Sequence, residues 1–171
     1  MNCCIKPPGL RCWSNPDNAQ SQSAIAEVQT AASTLGAQFE IVTVTTNRDI
    51  DPVFAAVVQK RPDGLLISPD PLFTNRLVQL ATLSARHVMP TIYSLREFAE
   101  VGGLMTYGSN FSELFRQAGN YTGRVLNGEK PAELPILQPT KFEFVINLQT
   151  AAALDLDVPP TLLARADELI E

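Results

Sequence analysis

Hydroxyl, amide and carboxylate side chains recur just after short apolar runs in this chain, and they are the groups with which it could do chemistry. Ser14, Asn15 and Asp17 follow the first run, and Thr45, Thr46 and Asn47 the second. Ser68 and Asp70 follow the third, Tyr93 and Ser94 the fourth, and Tyr107 and Ser109 the fifth. Such groups orient a small polar molecule by hydrogen bonds. Tyrosines add flat apolar walls with a polar tip. The loop Ser68-Pro69-Asp70-Pro71 ends the most apolar run and is the first place to expect a ligand. Asp70 before Pro71 also suits a helix cap, and the two roles can coexist. Asn15-Pro16-Asp17 has the makings of an ordinary turn.

The residue sets that drive reactions are missing. There is no GxGxxG, no phosphate-binding P-loop, no GxSxG and no HExxH. The single histidine, His87, falls at the end of a helical stretch, where it suits the negative end of the helix dipole. Asp17 with Asp70 would suit Mg²⁺-dependent phosphoryl chemistry only if a lysine followed a later run, and none does. An enzyme needs a nucleophile, a base and a positioning group together, and no such set is legible. Neither a cofactor nor a metal is expected. The three cysteines, Cys3, Cys4 and Cys12, have no further Cys or His at metal-ligand spacing, and they read as an irregular N-terminus.

The elements that must position these groups follow from periodicity. Candidate strands are Leu10–Ser14, Gln38–Thr45, Asp63–Ser68, Thr91–Tyr93 and Gly103–Tyr107, each separated from the next by a helical stretch. Ile25, Val28, Ala32 and Leu35 share one helical face, and Ile50, Val53, Phe54 and Val57 another, with Asp51-Pro52 as its start. Leu77, Leu80, Ala81 and Ser84 mark a third helix, and Arg96 to Val101 a short fourth. The second and third strands are nearly all apolar or β-branched, as strands buried on both faces are. The expected fold is therefore α/β: a Rossmann-like parallel sheet with helices on both faces. In such sheets ligands bind beyond the carboxyl ends of the strands, and this is what selects the residues above. After residue 108 the rhythm changes to an αβα tail. It comprises a helix from Asn110 to Leu126 opened by an Asn110/Glu113 capping box, a stretch marked by Pro131, Pro135 and Pro139, a strand Phe142–Ile146, a short helix Leu148–Leu154 and a terminal helix Thr161–Ile170. The expected organisation is a ligand-binding lobe over 10–108 and a C-terminal segment over 109–171.

The 171 residues carry a net charge of −5, with 13 Lys and Arg scattered along the chain. No basic stripe marks a nucleic-acid surface, so nucleic acid is not an expected partner. No apolar run is long enough to span a bilayer.

Five segments, in order, resemble the substrate-binding proteins of ABC transporters of the tryptophan/tyrosine type. They are Asp63 to Phe73, Pro90 to Phe98, Gly102 to Gly108, Thr140 to Asn147 and Pro159 to Asp167. The resemblance implies two Rossmann-like lobes closing on an amino-acid-like solute, read by a membrane permease. Residues 14 to 171 correspond to the second lobe and the tail that crosses back. Ser14, Asn15, Thr46, Ser68, Asp70, Tyr93 and Tyr107 would then line one wall of the cleft. The resemblance implies a periplasmic location. The start MNCCIKPPG, with no signal-peptide core, implies the cytoplasm if Met1 is the true start. With half the cleft missing, the apolar faces of the Asn110–Leu126 helix and the Phe142–Ile146 strand would be uncovered, and either a homodimer or a tail folded onto the remaining lobe's own surface is expected. The competing expectation is a structural protein that dimerises without a working ligand site.

Overall fold

A computed structural model describes residues 9–138 and 141–171, with the side chain of Gln20 excepted. Cys3, Cys4, Pro139 and Thr140 lie outside the described residues. The elements run β1 (Gly9–Ser14), α1 (Ala19–Leu35), β2 (Gln38–Thr43), α2 (Ile50–Gln59), β3 (Gly64–Ile67), α3 (Pro71–Thr74), α4 (Leu77–Arg86), β4 (Thr91–Tyr93) and α5 (Arg96–Glu100). They continue β5 (Met105–Ser109), α6 (Phe111–Leu126), β6 (Phe142–Asn147), α7 (Leu148–Ala153), α8 (Pro160–Leu163) and β7 (Glu168–Ile170). One seven-stranded sheet has the order β2-β1-β3-β4-β5-β6-β7. Strands β1 to β5 are parallel, β6 joins antiparallel to β5, and β7 is parallel to β6. The chain moves outward from β1 to β2 and then back past β1 to β3. This reversal opens a crevice at the strand ends.

Alternation along the strands divides the core into two unequal faces. Trp13 pairs with Ile67 and Leu65 with Thr91, so Trp13, Leu65, Ile67 and Tyr93 look to the same side. There they meet Phe54 of α2, Phe73 of α3, Leu80 of α4 and Phe98 of α5, all buried in one cluster. Trp13 packs edge-on to Phe54 at 5.6 Å. The other side carries Leu10, Phe39, Leu66, Ile92 and Met105, which are half-buried around an open hollow. Helix α1 covers this side only over β1 and β2. α7 covers it near β5, where Ala151 and Leu154 pack on Leu104.

The first strand is weak in sequence yet lies inside the sheet, between β2 and β3. Trp13 supplies its burial, and Arg11 reaches Glu40 on β2 at 2.9 Å. Helix α2 starts at Ile50, one residue before the Asp51-Pro52 expected to open it. A turn over Asn47–Asp49 precedes it, in which the Asp49 carboxylate accepts from the Thr46 amide and leaves α2 without a side-chain cap. Half of the Asn110/Glu113 box forms: Asn110 Oδ1 accepts from the Glu113 amide at 2.9 Å. Glu113 turns away to Arg116 instead of returning to Asn110, whose amide donates to Lys141.

The expected terminal helix over Thr161–Ile170 is corrected. Only Pro160–Leu163 is helical, and Glu168–Ile170 forms β7. The outer edge of β6 presents unpaired backbone groups, and pairing satisfies them where a short helix would not. The Asp167 amide donates to the Phe144 carbonyl, and the Phe144 amide donates to Asp167 Oδ2, each at 2.8 Å. The strand β6 thus builds onto the lobe's own sheet, with Val145, Ile146 and Asn147 buried.

Helix α6 has no buried residue. Phe115, Leu126 and, beyond the helix, Ile136 are 72%, 81% and 96% exposed.

Gly103 sits where a Cβ would overlap the buried Phe98 ring. Gly103→Ala is therefore expected to destabilise the fold by about 1–3 kcal/mol, as overpacking does. Urea unfolding followed by the fluorescence of Trp13, the single tryptophan, measures it. An unchanged midpoint would show that Phe98 yields freely.

Candidate functional site

The carboxyl ends of β1, β3 and β4 converge on one corner. Ser14 and Ser68 end neighbouring strands and are 2% and 3% exposed. Ser68 lies opposite Ser21 of α1, with the hydroxyls 3.4 Å apart. The Ser14 hydroxyl is buried with no hydrogen-bond partner among the described residues. Asn15 folds its side chain back to the Asp17 amide at 3.1 Å and makes the turn its sequence suggests.

Asp70 is the centre of the corner and is 5% exposed. Its Oδ1 accepts from the Leu72 amide at 2.7 Å, so it caps α3 as expected. Its Oδ2 accepts from Asn18 Nδ2, also at 2.7 Å, which ties the loop after β3 to the loop after β1. Beside it the Tyr93 hydroxyl lies 2.9 Å from Thr74 Oγ1 and 3.4 Å from the Asp70 carbonyl. Burial pushes the Tyr93 phenol above its ordinary pKa, so the hydroxyl keeps its proton.

Sequence reading passed over Asn18, Ser21 and Thr74. Thr74 had a local signal, since it falls one helical turn after Asp70 and its hydroxyl donates to the Asp70 carbonyl. Asn18 had none, because its partner is 52 residues away.

Two expected residues sit elsewhere. Thr46 is exposed, and its amide and hydroxyl both donate to Asp49, at 2.7 and 2.9 Å. These bonds hold the Asp49 carboxyl below its usual range. Tyr107 is 57% exposed and stacks on Phe142 with the rings 5.8 Å apart. The pairing of Tyr93 with Thr106 sets the parity of β5, so Tyr107 faces the other side of the sheet.

Next to the corner lies a cleft of about 500 Å³. The loop Pro69–Pro71, Thr74, Leu77, Tyr93 and Leu95 form one wall, and Phe111 and Phe115 of α6 the other. Glu97, in the first turn of α5, also borders it, and its carboxylate makes no hydrogen bond or ion pair among the described residues. Behind Ser94, which lines the cleft, Gly108 packs so close to the Ser94 backbone that no Cβ would fit.

Helix α6 is held to this place by a chain of charges. Arg96 donates to Glu100 at 2.8 Å, to Glu143 at 2.7 Å and to both oxygens of Glu168 at 2.7 and 2.6 Å. The other oxygen of Glu143 accepts from Asn110, the cap of α6, at 3.2 Å. The bonds to Glu168, then Glu100, raise the Arg96 pKa, and Arg96 in turn lowers that of Glu168. His87 ends α4 with its ring 5.6 Å from Phe54, on the approach to β4 rather than at its carboxyl end. Among the described residues no three His, Cys, Asp or Glu side chains are grouped to hold a metal. The corner offers hydrogen-bonding groups, apolar walls and two carboxylates, which is the equipment of a binding site.

Residues 10–170 match a family model described as ABC transporter substrate binding protein. A tyrosine-binding protein of Clostridioides difficile (strain R20291) is 24% identical over 113 residues, which are 66% of this chain and 32% of that protein. An ABC domain in complex with L-Trp from Streptococcus pneumonia is similar in structure, with a TM-score of 0.85 and 21% identity over 94% of this chain and 54% of that one. A conserved domain protein from Vibrio cholerae O1 biovar El Tor gives a TM-score of 0.84 and 20% identity, with the same coverage. At these identities the two structures establish the fold. The chain spans about half the length of these solved structures and about a third of the tyrosine-binding protein.

Two measurements probe the corner and its support. Asp70→Ala removes a cap and is expected to cost about 1 kcal/mol in urea unfolding. An unchanged stability would show that the cap carries no weight. The Glu168 carboxyl is lowered by Arg96, so its contribution is present above the unfolded carboxyl pKa of about 4.3 and is lost as the pH falls through the folded value. The gap in melting temperature between the wild-type chain and Arg96→Ala is expected to narrow from pH 7 to pH 3. A gap that stays constant would mean the ion pairs do not support the fold.

Proposed function

The chain belongs to the ABC transporter substrate-binding protein family, and we propose that its lobe forms one wall of the solute cleft of an ABC uptake system. The solute is amino-acid-sized and lies at the carboxyl ends of β3 and β4. The observation that carries this reading is the convergence of Asp70, Thr74 and Tyr93 on a cleft of about 500 Å³ whose far wall is aromatic. The L-Trp complex of the streptococcal structure and the tyrosine-binding relative support an aromatic amino acid as the solute. Within that reading Ser14, Asn15, Ser68, Asp70 and Tyr93 support or contact the ligand, whereas Thr46 and Tyr107 serve the lobe's periphery. A permease is the partner of the full assembly, and the working location is outside the cytoplasmic membrane. Among the described residues no helix is long and apolar enough to cross that membrane.

A second reading rests on α6. A helix with no buried residue and with Phe115 and Leu126 exposed suits an interface. In this reading the chain dimerises through that face.

Each reading has its measurement. Titration of the ¹⁵N-labelled chain with L-tryptophan or L-tyrosine is expected to shift the amide signals of Thr74, Ser94 and Leu95. No shift from any common amino acid at millimolar concentration would overturn a working site. Light scattering at tens of micromolar is expected to give twice the chain mass, and a monodisperse monomer would overturn the dimer.

A further inference from the structure

We propose that the open groove on the sheet face away from Trp13 is the seat of α6 from a second copy of this chain, and that two copies exchange their α6 arms. The inference rests on the second reading above, the dimer through α6, and adds the surface that receives the helix.

Strand pairing assembles the floor of the groove. Leu66 lies opposite Ile92, Ile92 opposite Met105, and Tyr107 opposite Phe144, so these side chains share the face away from Trp13. Two hollows of about 330 and 630 Å³ lie over them and share Ile92 and Met105, which makes them one groove. Its two carboxylates, Asp63 and Asp167, are already bound to the Gly9 and Phe144 amides, at 2.6 and 2.8 Å. Helix α1 flanks the groove over β1 and β2, and α8 flanks it at Leu162. Parallel sheets carry a layer of helices on each face, and among the described residues this groove is the gap in one layer. A helix, about 10 Å across, is the element that fills such a gap.

The same chain carries a helix without a seat. No residue of α6 is buried. Phe115, Gly119, Thr122 and Leu126 recur at the spacing that puts them on one side of the helix. Phe115 and Leu126 are exposed, and a Cβ on Gly119 would meet nothing, so this side looks into open space. The Tyr121 hydroxyl donates to the Pro135 carbonyl at 2.6 Å and ties the stretch with exposed Ile136 and Leu137 to the helix. The arm thus offers a continuous apolar edge, and the groove offers an apolar floor.

Reach, symmetry and area all allow the exchange. The 16 residues of α6 span about 24 Å, and β5, with 5 residues, about 17 Å, so the helix can run the length of the groove. The arm leaves the sheet after Ser109, which pairs with Phe142, and Phe142 and Tyr107 line the upper end of the groove. Root and seat therefore adjoin. A two-fold axis beside these residues lets each copy give its arm and receive the other's, which is the closed symmetry of most dimers. At about 150–250 Å² for each large side chain covered, the two seats bury roughly 800 Å² from each copy, the size of a standard stable interface.

One substitution on each surface separates this dimer from any other built on α6. Sedimentation equilibrium gives the dimer dissociation constant of the wild-type chain, of Phe115→Asp on the arm and of Tyr107→Asp in the groove. Both residues are exposed, and urea unfolding followed by Trp13 fluorescence checks that the variants fold. If Tyr107→Asp does not fold, Phe142→Ser takes its place in the groove. Each substitution is expected to weaken the dimer roughly tenfold or more, as loss of a large apolar side chain from an interface does. A dimer weakened by Phe115→Asp but untouched by the groove substitution would overturn the inference and leave the α6 dimer standing. A wild-type chain that stays monomeric, or a dimer untouched by both substitutions, would overturn the inference and the dimer reading together.

Discussion

The guanidinium of Arg96 holds together parts of the chain that have no other strong reason to meet. It belongs to α5, and its carboxylate partners lie on α5, β6 and β7. Through Glu143 and Asn110 it also fixes the start of α6. Single exposed ion pairs contribute little to stability. The value of this junction is positional: it gives β6 and β7 a definite seat on the sheet and fixes where Phe111 and Phe115 stand. It also decides the charge of the cleft. With the guanidinium turned inward to the tail, the strand ends keep their carboxylates and no compensating cation.

The two faces of the sheet divide the work. The face carrying Trp13, Ile67 and Tyr93 is closed by α2 to α5 and forms the main core. Its upper rim is the candidate site, so Tyr93 serves packing with its ring and the corner with its hydroxyl. The opposite face has α1 at one end and α7 near the other, with half-buried apolar side chains between. The rigid side thus positions the site.

Much of this was legible in the sequence because it follows from local rules. The apolar run through β3, the proline after Asp70 and the amphipathic spacing of α6 each point to an element on their own. The cap made by Asp70 and the turn made by Asn15 were readable as well. What was not readable depended on partners distant in sequence. The tail after Pro160 looks helical by spacing, but the open edge of β6 captured Glu168 to Ile170. Tyr107 was placed by its nearness to a strand end, and the parity of β5, set by pairing with β4, turns it to the other face. Asn18 has no motif around it, and only the meeting of two loops gives it a role. The weakest strand in sequence, β1, takes an interior place between β2 and β3, where Trp13 packs against Phe54 of α2 and Phe73 of α3.

The separation of the Arg96 junction along the chain also bears on how the molecule is assembled during synthesis. Ribosomes deliver the N-terminal part of a chain first. Arg96 is therefore synthesised before Glu143 and Glu168. In that interval Arg96 has Glu100 four residues away, on the same turn of helix, as a companion for its charge. β6 and β7 then bring the two remaining partners of a cation that is already in the chain.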